Sequence, residues 1–221
     1  MKFNLIQDIR IAVLSVLLIL IMANASMSTP RFSKIIHDAG GKQYTITIQA
    51  EDEKIDVISA NQTYCAYAEG NRRAYGHYYA FVAKKNSGKL IKQDINLFSE
   101  KNTQGEFNLE LDMVQIFRSR SKGQPDVLVV RQYGASNYDT VKAFIISNGK
   151  LKLLTFKRKS GGSMQFINDS RDQYAFVVIG PYKFKSAVYN NIPSKYEHSV
   201  WKLDLSKLRM IEIKSYSNDG S

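Results

Sequence analysis

The sequence of 221 residues contains a single cysteine, Cys65. One cysteine excludes an intramolecular disulfide and a zinc site built from several cysteines. Cys65 alternates with small and aromatic residues over positions 63–67. This alternation predicts a buried thiol in the protein core.

Proline and tryptophan are also scarce, with four residues and one residue, whereas tyrosine and phenylalanine contribute 13 and 11. Aromatic residues favour β-strands over helices. The length indicates one domain of moderate size. Acidic residues number 20 against 31 lysines and arginines, so the formal net charge is +11. That excess predicts a polyanionic partner, if the protein has a partner.

The long apolar run of the sequence lies near the N-terminus, over residues 11–23. It follows a short polar stretch and precedes Ala23-Asn24-Ala25, with small residues at both positions that determine cleavage. This layout predicts a secretory signal peptide over residues 1–25, cleaved after Ala25. The run is short for a membrane-spanning helix, and an uncleaved anchor is the alternative. A secreted or periplasmic protein is therefore expected, and nucleic acid is disfavoured as the polyanion.

Motifs of common enzymes are missing from the sequence. It has no glycine-rich phosphate loop and no Gly-x-Ser-x-Gly elbow, and His37, His77 and His198 are not at metal-ligand spacing. We therefore expect no cofactor, no metal and a non-catalytic binding protein. The alternative is a polysaccharide hydrolase, which requires two facing carboxylates. The sequence selects no pair among its candidate carboxylates, which are Glu69, Asp112, Asp126, Asp139, Glu197 and Asp204.

Three consecutive strands are predicted over residues 126–156. Residues 126–130 form a short apolar run between Pro125 and Gly134, which predicts a strand buried on both faces. Residues 141–147 and 150–154 predict two further strands. The Asn148-Gly149 pair between them predicts a type I′ hairpin turn. Residues 131–140, between the first two strands, are predicted to form a loop.

Similar patterns flank these strands, with hairpin turns near residues 87, 149 and 206. The spacing gives a period of about sixty residues with four strands in each unit. The pieces DVLVV and AFII-NG-KLKLL resemble blades of secreted and integrin-type β-propellers, and the resemblance covers residues 50–214. It implies an all-β, propeller-like fold of three four-stranded antiparallel units. These units either form an open, partial propeller with covered edges or close into a ring with a second copy of the chain. A β-sandwich or barrel is the alternative.

The domain prediction follows from these units. Residues 42–221 are expected to form a single all-β domain. Residues 26–41 are expected to form a flexible N-terminal segment. The run of cations at residues 157–159 is predicted to be a solvated turn, and residues 180–198 are predicted to form a long loop.

Each predicted loop between the second and third strands of a unit combines tyrosine with arginine or lysine. If the units are blades, these loops lie at one end of the domain. Tyrosine rings stack on sugars, and guanidinium groups bind carboxylate or phosphate. The hypothesis is a basic and aromatic binding face for an anionic envelope polymer or a protein partner; the alternative is that these residues serve packing and solubility. The candidate residues are Arg72, Arg73, Tyr75, His77, Arg131, Tyr133, Asn137, Tyr138, Tyr182, Lys183 and Lys185.

Overall fold

A computed structural model of the chain describes residues 29–63, 67–98, 104–135, 137–170 and 176–219. The predicted signal peptide and Cys65 lie outside these residues. The strands are β1 (Phe32–His37), β2 (Gln43–Ala50), β3 (Lys54–Val57), β4 (Arg72–Gly76), β5 (Tyr78–Lys84), β6 (Ile91–Lys92), β7 (Gly105–Asn108), β8 (Val114–Phe117), β9 (Val127–Ala135), β10 (Tyr138–Ser147), β11 (Lys150–Lys157), β12 (Ser163–Met164), β13 (Ile167–Asp169), β14 (Val177–Gly180), β15 (Lys183–Asn190), β16 (Lys195–Asp204) and β17 (Arg209–Asp219).

The predicted all-β class is confirmed. Within the described ranges there is no α-helix, and the only helical turn is of the 3₁₀ type, at Ala60–Gln62. No helix in this part of the chain is long and apolar enough to cross a membrane.

The strands pair into three sheets. Four strands form a sheet in the order β1-β2-β5-β6, and three form a sheet in the order β3-β4-β7. The largest sheet follows the order β14-β15-β16-β17-β11-β10-β9-β8, with β12 beside β11 and β13 beside β10. Ser170, directly after β13, donates its backbone N–H to the carbonyl of Ala187 in β15 at 2.6 Å. This contact brings β13 against β15 and makes the sheet nearly closed and barrel-like.

Three separate four-stranded units are not shown. The strands of the second and third predicted units join one sheet, because β11 and β17 pair in parallel. The register of that pair places Phe156 opposite Met210, and both side chains are buried in the same core. One continuous sheet lets Phe156 and Met210 bury their side chains against the same core.

Two hydrophobic cores share the central strands β9 and β10. On one face, Leu128 and Phe144 pack in the core that includes the first sheet. On the other face, Val129 and Ile145 pack with Trp201 inside the barrel-like sheet. The prediction that the strand at residues 126–130 is buried on both faces is therefore confirmed.

The predicted Asn148-Gly149 hairpin is also confirmed. Ser147 and Lys150 are the last paired residues of β10 and β11. Asn148 and Gly149 have φ angles of 51° and 72°, and a type I′ turn requires positive φ at both positions.

Two predicted loops are instead strands. In the segment 131–140, β9 continues to Ala135 and β10 begins at Tyr138. The segment 180–198 contains all of β15 and the start of β16. Exposed Lys183 is followed by buried Phe184, and Ser186 two residues further is also buried, as in a strand with one buried face. The alternation is not visible in the sequence because one of the buried positions is a polar serine.

The segment 26–41, expected to be flexible, contains β1, and this corrects the prediction. Strand β1 pairs with β2 along its whole length and buries Phe32 and Ile36. Asp126 fixes the end of the strand, because its Oδ2 accepts hydrogen bonds from the backbone N–H of His37 at 2.9 Å and from His37 Nδ1 at 2.8 Å.

We expect Asp126 to contribute to the pH dependence of stability. Burial raises the pKa of Asp126, but hydrogen bonds from the Ser119 N–H, His37 and Arg118 outweigh burial and lower it. An aspartate with a lowered folded-state pKa stabilises the protein above about pH 4 and loses that contribution as the pH falls. The loss of unfolding free energy in Asp126→Asn should therefore be largest at pH 7 and shrink below about pH 4, as urea denaturation across this range would show. A loss that is constant with pH would contradict the prediction.

Candidate binding face

The predicted site residues on β4 already have acidic partners. Arg72 Nε lies 3.0 Å from Glu110 Oε1, and Arg73 Nη2 lies 2.6 Å from Asp56 Oδ2. The Arg73 guanidinium also lies 5.3 Å from the centre of the Tyr75 ring. These contacts neutralise the positive charges of β4 within the protein.

His77 follows β4 directly and is held by Asp52. The backbone N–H of His77 donates to Asp52 Oδ1 at 2.7 Å, and Nδ1 lies 2.6 Å from Oδ2. Both side chains are about half exposed. These hydrogen bonds lower the pKa of Asp52. The side chains of Arg72, Arg73 and His77 are thus held by acidic partners within the protein and do not form a concentrated positive surface.

Arg131 lies inside the barrel-like sheet, with 7% of its side chain exposed. Its Nη2 lies 2.8 Å from Asp169 Oδ2, and its Nη1 donates to the Ser170 carbonyl at 3.3 Å. Asp169 is fully buried and also accepts the backbone N–H groups of Phe176 and Ala187. Burial raises the pKa of Asp169 to about 6, although Arg131 opposes the rise. The pair joins β9, β13 and β15, so Arg131 has a structural role.

The other candidates near Arg131 lie at the turn between β9 and β10. Tyr133 and Tyr138 are half-buried. Asn137 donates a side-chain hydrogen bond to the carbonyl of Tyr189, at the end of β15. This contact brings the predicted second loop beside the predicted third loop.

Tyr182 lies elsewhere. Its backbone N–H donates to Gln124 Oε1 at 2.7 Å, and Gln124 precedes β9. Tyr133 is near the far end of the same strand, which spans nine residues, or about 30 Å. The candidate residues therefore do not gather at one end of the domain, and their binding role stays a prediction.

Lys183 and Lys185 belong to a continuous surface that the sequence prediction captured only in part. Side chains alternate along β15, β16 and β17, and Phe184, Trp201 and Met210 point into the barrel core. Lysines occupy alternating positions on the opposite side. We call this outward surface the lysine face, and it consists of Lys157, Lys183, Lys185, Lys202 and Lys214.

The register of the strands brings these lysines together. Lys183 is directly opposite Lys202, which in turn is opposite Ile211. Ile211 is opposite Lys157 on the next strand. In the neighbouring row, Val200 separates Lys185 from Lys214. Neighbouring positions on such a surface are about 5 Å apart across strands and about 7 Å apart along them.

No ion pair to a described residue neutralises Lys157, Lys183 or Lys202. Lys214 instead lies with its Nζ 4.9 Å from the centre of the Tyr216 ring. Like charges placed directly opposite on neighbouring strands destabilise a sheet. The Lys183–Lys202 pair therefore has a cost to the fold, and an anion bound between the two ammonium groups would offset it.

A row of aromatic rings adjoins the lysine face. Tyr189 and Tyr196 have ring centres 5.0 Å apart, and the His198 ring stacks on Tyr216 at 4.8 Å. Tyr196 and His198 rings lie 6.2 Å apart, which makes the row continuous. Tyr216 is 40% exposed at its end.

A cleft of about 580 Å³, lined in part by His198 and Tyr216 of this row, contains two carboxylates. Glu197 Oε1 accepts a hydrogen bond from Asn190, and buried Glu212 accepts hydrogen bonds from Ser199 Oγ and the Lys159 N–H. Glu212 was absent from the predicted carboxylates, because an isolated glutamate in an alternating strand carries no local motif.

Among the described residues, no group of histidine, cysteine, aspartate or glutamate side chains is arranged to hold a metal ion. No family model matches the chain, and neither a curated protein nor a solved structure matches it.

Proposed function

We propose that the protein is an exported, non-catalytic binding protein whose lysine face holds an anionic polymer of the cell envelope. The observation that carries the proposal is the directly opposed pair Lys183 and Lys202. The repulsion between the two lysines lowers the stability of the sheet, whereas both charges would attract a polyanion. Secretion or periplasmic localisation is part of the proposal and is supported by the apolar segment at residues 11–23.

The spacing of the lysine face suits a chain that carries regularly repeated anionic groups. Rows about 5 Å and 7 Å apart let several ammonium groups contact one extended polymer at once. Tyr216, 40% exposed beside Lys214, gives sugar units an aromatic side chain to contact. A polyuronate meets both requirements, and an acidic protein segment is the alternative ligand with the same charge. The predicted homodimer and three-unit propeller stay predictions, and the proposal needs neither, because the face lies within one sheet of one chain.

The test is calorimetric titration of residues 26–221 with alginate, with uncharged dextran as the control polymer. Binding should weaken with added salt, because exposed charges are screened. A variant with Lys183, Lys202 and Lys214 all replaced by glutamine should bind alginate about tenfold less tightly, a loss of about 1.4 kcal/mol. The matched control replaces three exposed lysines outside the face by glutamine, with the same change of net charge: Lys54, Lys89 and Lys150. Equal losses in the two variants would overturn the proposal.

A polysaccharide hydrolase remains the second candidate, favoured by the presence of Glu197 and Glu212 in one cleft. The same samples separate the two functions when the length of the alginate is followed over time. A binding protein leaves the polymer length unchanged, and a hydrolase shortens it. Shortening that is lost in either Glu197→Gln or Glu212→Gln would replace the binding proposal.

A further inference from the structure

A second polar site lies where the β1–β2 turn meets the loop before β9. A cleft of about 490 Å³ separates these two segments. His37, at the end of β1, and Arg118 and Lys122, in the loop before β9, line this cleft. Asp126, at its base, has 3% of its side chain exposed.

Asp126 is held from several directions. Arg118 Nη1 lies 2.8 Å from Oδ2, and the Ser119 N–H donates to Oδ1 at 2.8 Å. His37 contacts Oδ2 through both its backbone N–H and its Nδ1. Arg118 Nη1 also donates to the Ile35 carbonyl at 2.9 Å, which fixes the guanidinium beside the imidazole.

These contacts determine the tautomer of His37. The Asp126 carboxylate only accepts hydrogen bonds, and its Oδ2 lies closer to His37 Nδ1, at 2.8 Å, than Arg118 Nη1 does, at 3.4 Å. The proton of neutral His37 therefore lies on Nδ1 and is donated to Asp126. The lone pair then lies on Nε2. Nε2 makes no hydrogen bond to any residue in the described part of the chain, and the His37 side chain is 34% exposed at the cleft.

We propose that this cleft binds a small hydroxy acid, such as a single uronic acid unit. A hydroxyl group of the ligand donates to His37 Nε2, and its carboxylate accepts hydrogen bonds from Lys122 and from the Arg118 nitrogens that face away from Asp126. A simple carboxylate offers no donor to Nε2, and a neutral sugar offers no charge to Lys122. The two features together therefore select a ligand with both groups. The inference does not depend on the lysine face, which is formed by other strands.

His77 provides a matched comparison inside the same molecule. It makes the same two contacts to Asp52, through its backbone N–H and Nδ1. Its aspartate, however, is 45% exposed, whereas Asp126 is almost completely buried and also bound by Arg118. A ligand that recognises the cleft should perturb His37 and leave His77 unchanged.

The experiment is long-range proton–nitrogen NMR of the three imidazole rings of residues 26–221, assigned with His37→Gln, His77→Gln and His198→Gln. Before ligand is added, His37 should show an unprotonated Nε2. Titration with glucuronate should shift this nitrogen to saturation, while glucose and acetate should bind at least about tenfold less tightly. A shift of His77 equal to that of His37, or no saturable shift, would overturn the proposal. Stronger binding of inorganic phosphate than of glucuronate would overturn the ligand class.

The role of Lys122 can be tested with a pair of variants that leave His37 in place. Lys122→Gln should weaken glucuronate binding about tenfold, since Lys122 makes no contact with Asp126 and its loss should not disturb the fold. Arg120→Gln, in the same segment but not lining the cleft, is the control with the same change of charge. Equal affinities in the two variants would contradict the assigned role of Lys122. If the wild-type protein binds glucuronate but the lysine variants bind alginate as tightly as the wild type, the proposed function is refuted and the cleft proposal stands.

Discussion

Replacing Arg131 with methionine is expected to lower the free energy of unfolding by about 3–5 kcal/mol. Arg131 Nη2 lies 2.8 Å from Asp169 Oδ2, so the substitution leaves the fully buried Asp169 carboxylate without its cation. Asp169 on β13 accepts the N–H groups of Phe176, directly before β14, and of Ala187 in β15, so an uncompensated charge there opposes the contact between β13 and β15. Urea denaturation at pH 7 measures the loss.

The variant should also respond to pH in a characteristic way. Burial already raises the pKa of Asp169 to about 6, and removal of Arg131 raises it further. A raised folded-state pKa stabilises the protein at low pH and loses that effect as the pH rises. Arg131→Met should therefore be less destabilising at pH 5 than at pH 7. Arg72→Met, which breaks the exposed pair with Glu110, is the control and should cost less than about 1 kcal/mol at both pH values. Equal losses for the two variants would show that the buried pair does not hold the barrel closed.

Local patterns allowed part of the fold to be predicted. The Asn148-Gly149 turn is specified by two adjacent residues that tolerate positive φ, and the burial of both faces of the strand at residues 126–130 follows from an unbroken apolar run. The parallel pairing of β11 with β17 could not be predicted in this way. Thr155 and Arg209 are partners across more than fifty residues of sequence, and no short motif specifies that contact.

The site could be predicted only where its residues are close together in the sequence, and not where strand pairing brings distant residues together. Lys183 and Lys185 were selected because they lie near tyrosines in the sequence. Lys202 and Lys214 were not selected, because only the strand register brings them beside the first two. Conversely, Arg131 resembles a ligand-binding residue in sequence, but its acidic partner Asp169 lies on a different strand.

The lysine face should show opposite effects on stability and binding. Lys202→Glu places a carboxylate opposite Lys183, so it should raise the free energy of unfolding by about 0.2–1 kcal/mol while weakening alginate binding about tenfold. The double variant Lys183→Glu with Lys202→Glu restores two like charges in opposition. Its stability should return to the wild-type value, while its affinity for alginate falls about a hundredfold.

This pair of variants separates a binding surface from a solvated one. If the lysines only keep the protein soluble, reversing the charge of Lys202 would still change stability, because it removes the repulsion from Lys183. The affinity for alginate would then equal that of the Lys54→Glu variant on β3. Lys54 is exposed and lies opposite Tyr75, so its reversal changes the net charge equally without relieving a repulsion. A gain in stability together with a loss of binding, confined to the lysine face, would mean that the opposed lysines are retained for their ligand at a cost to the fold.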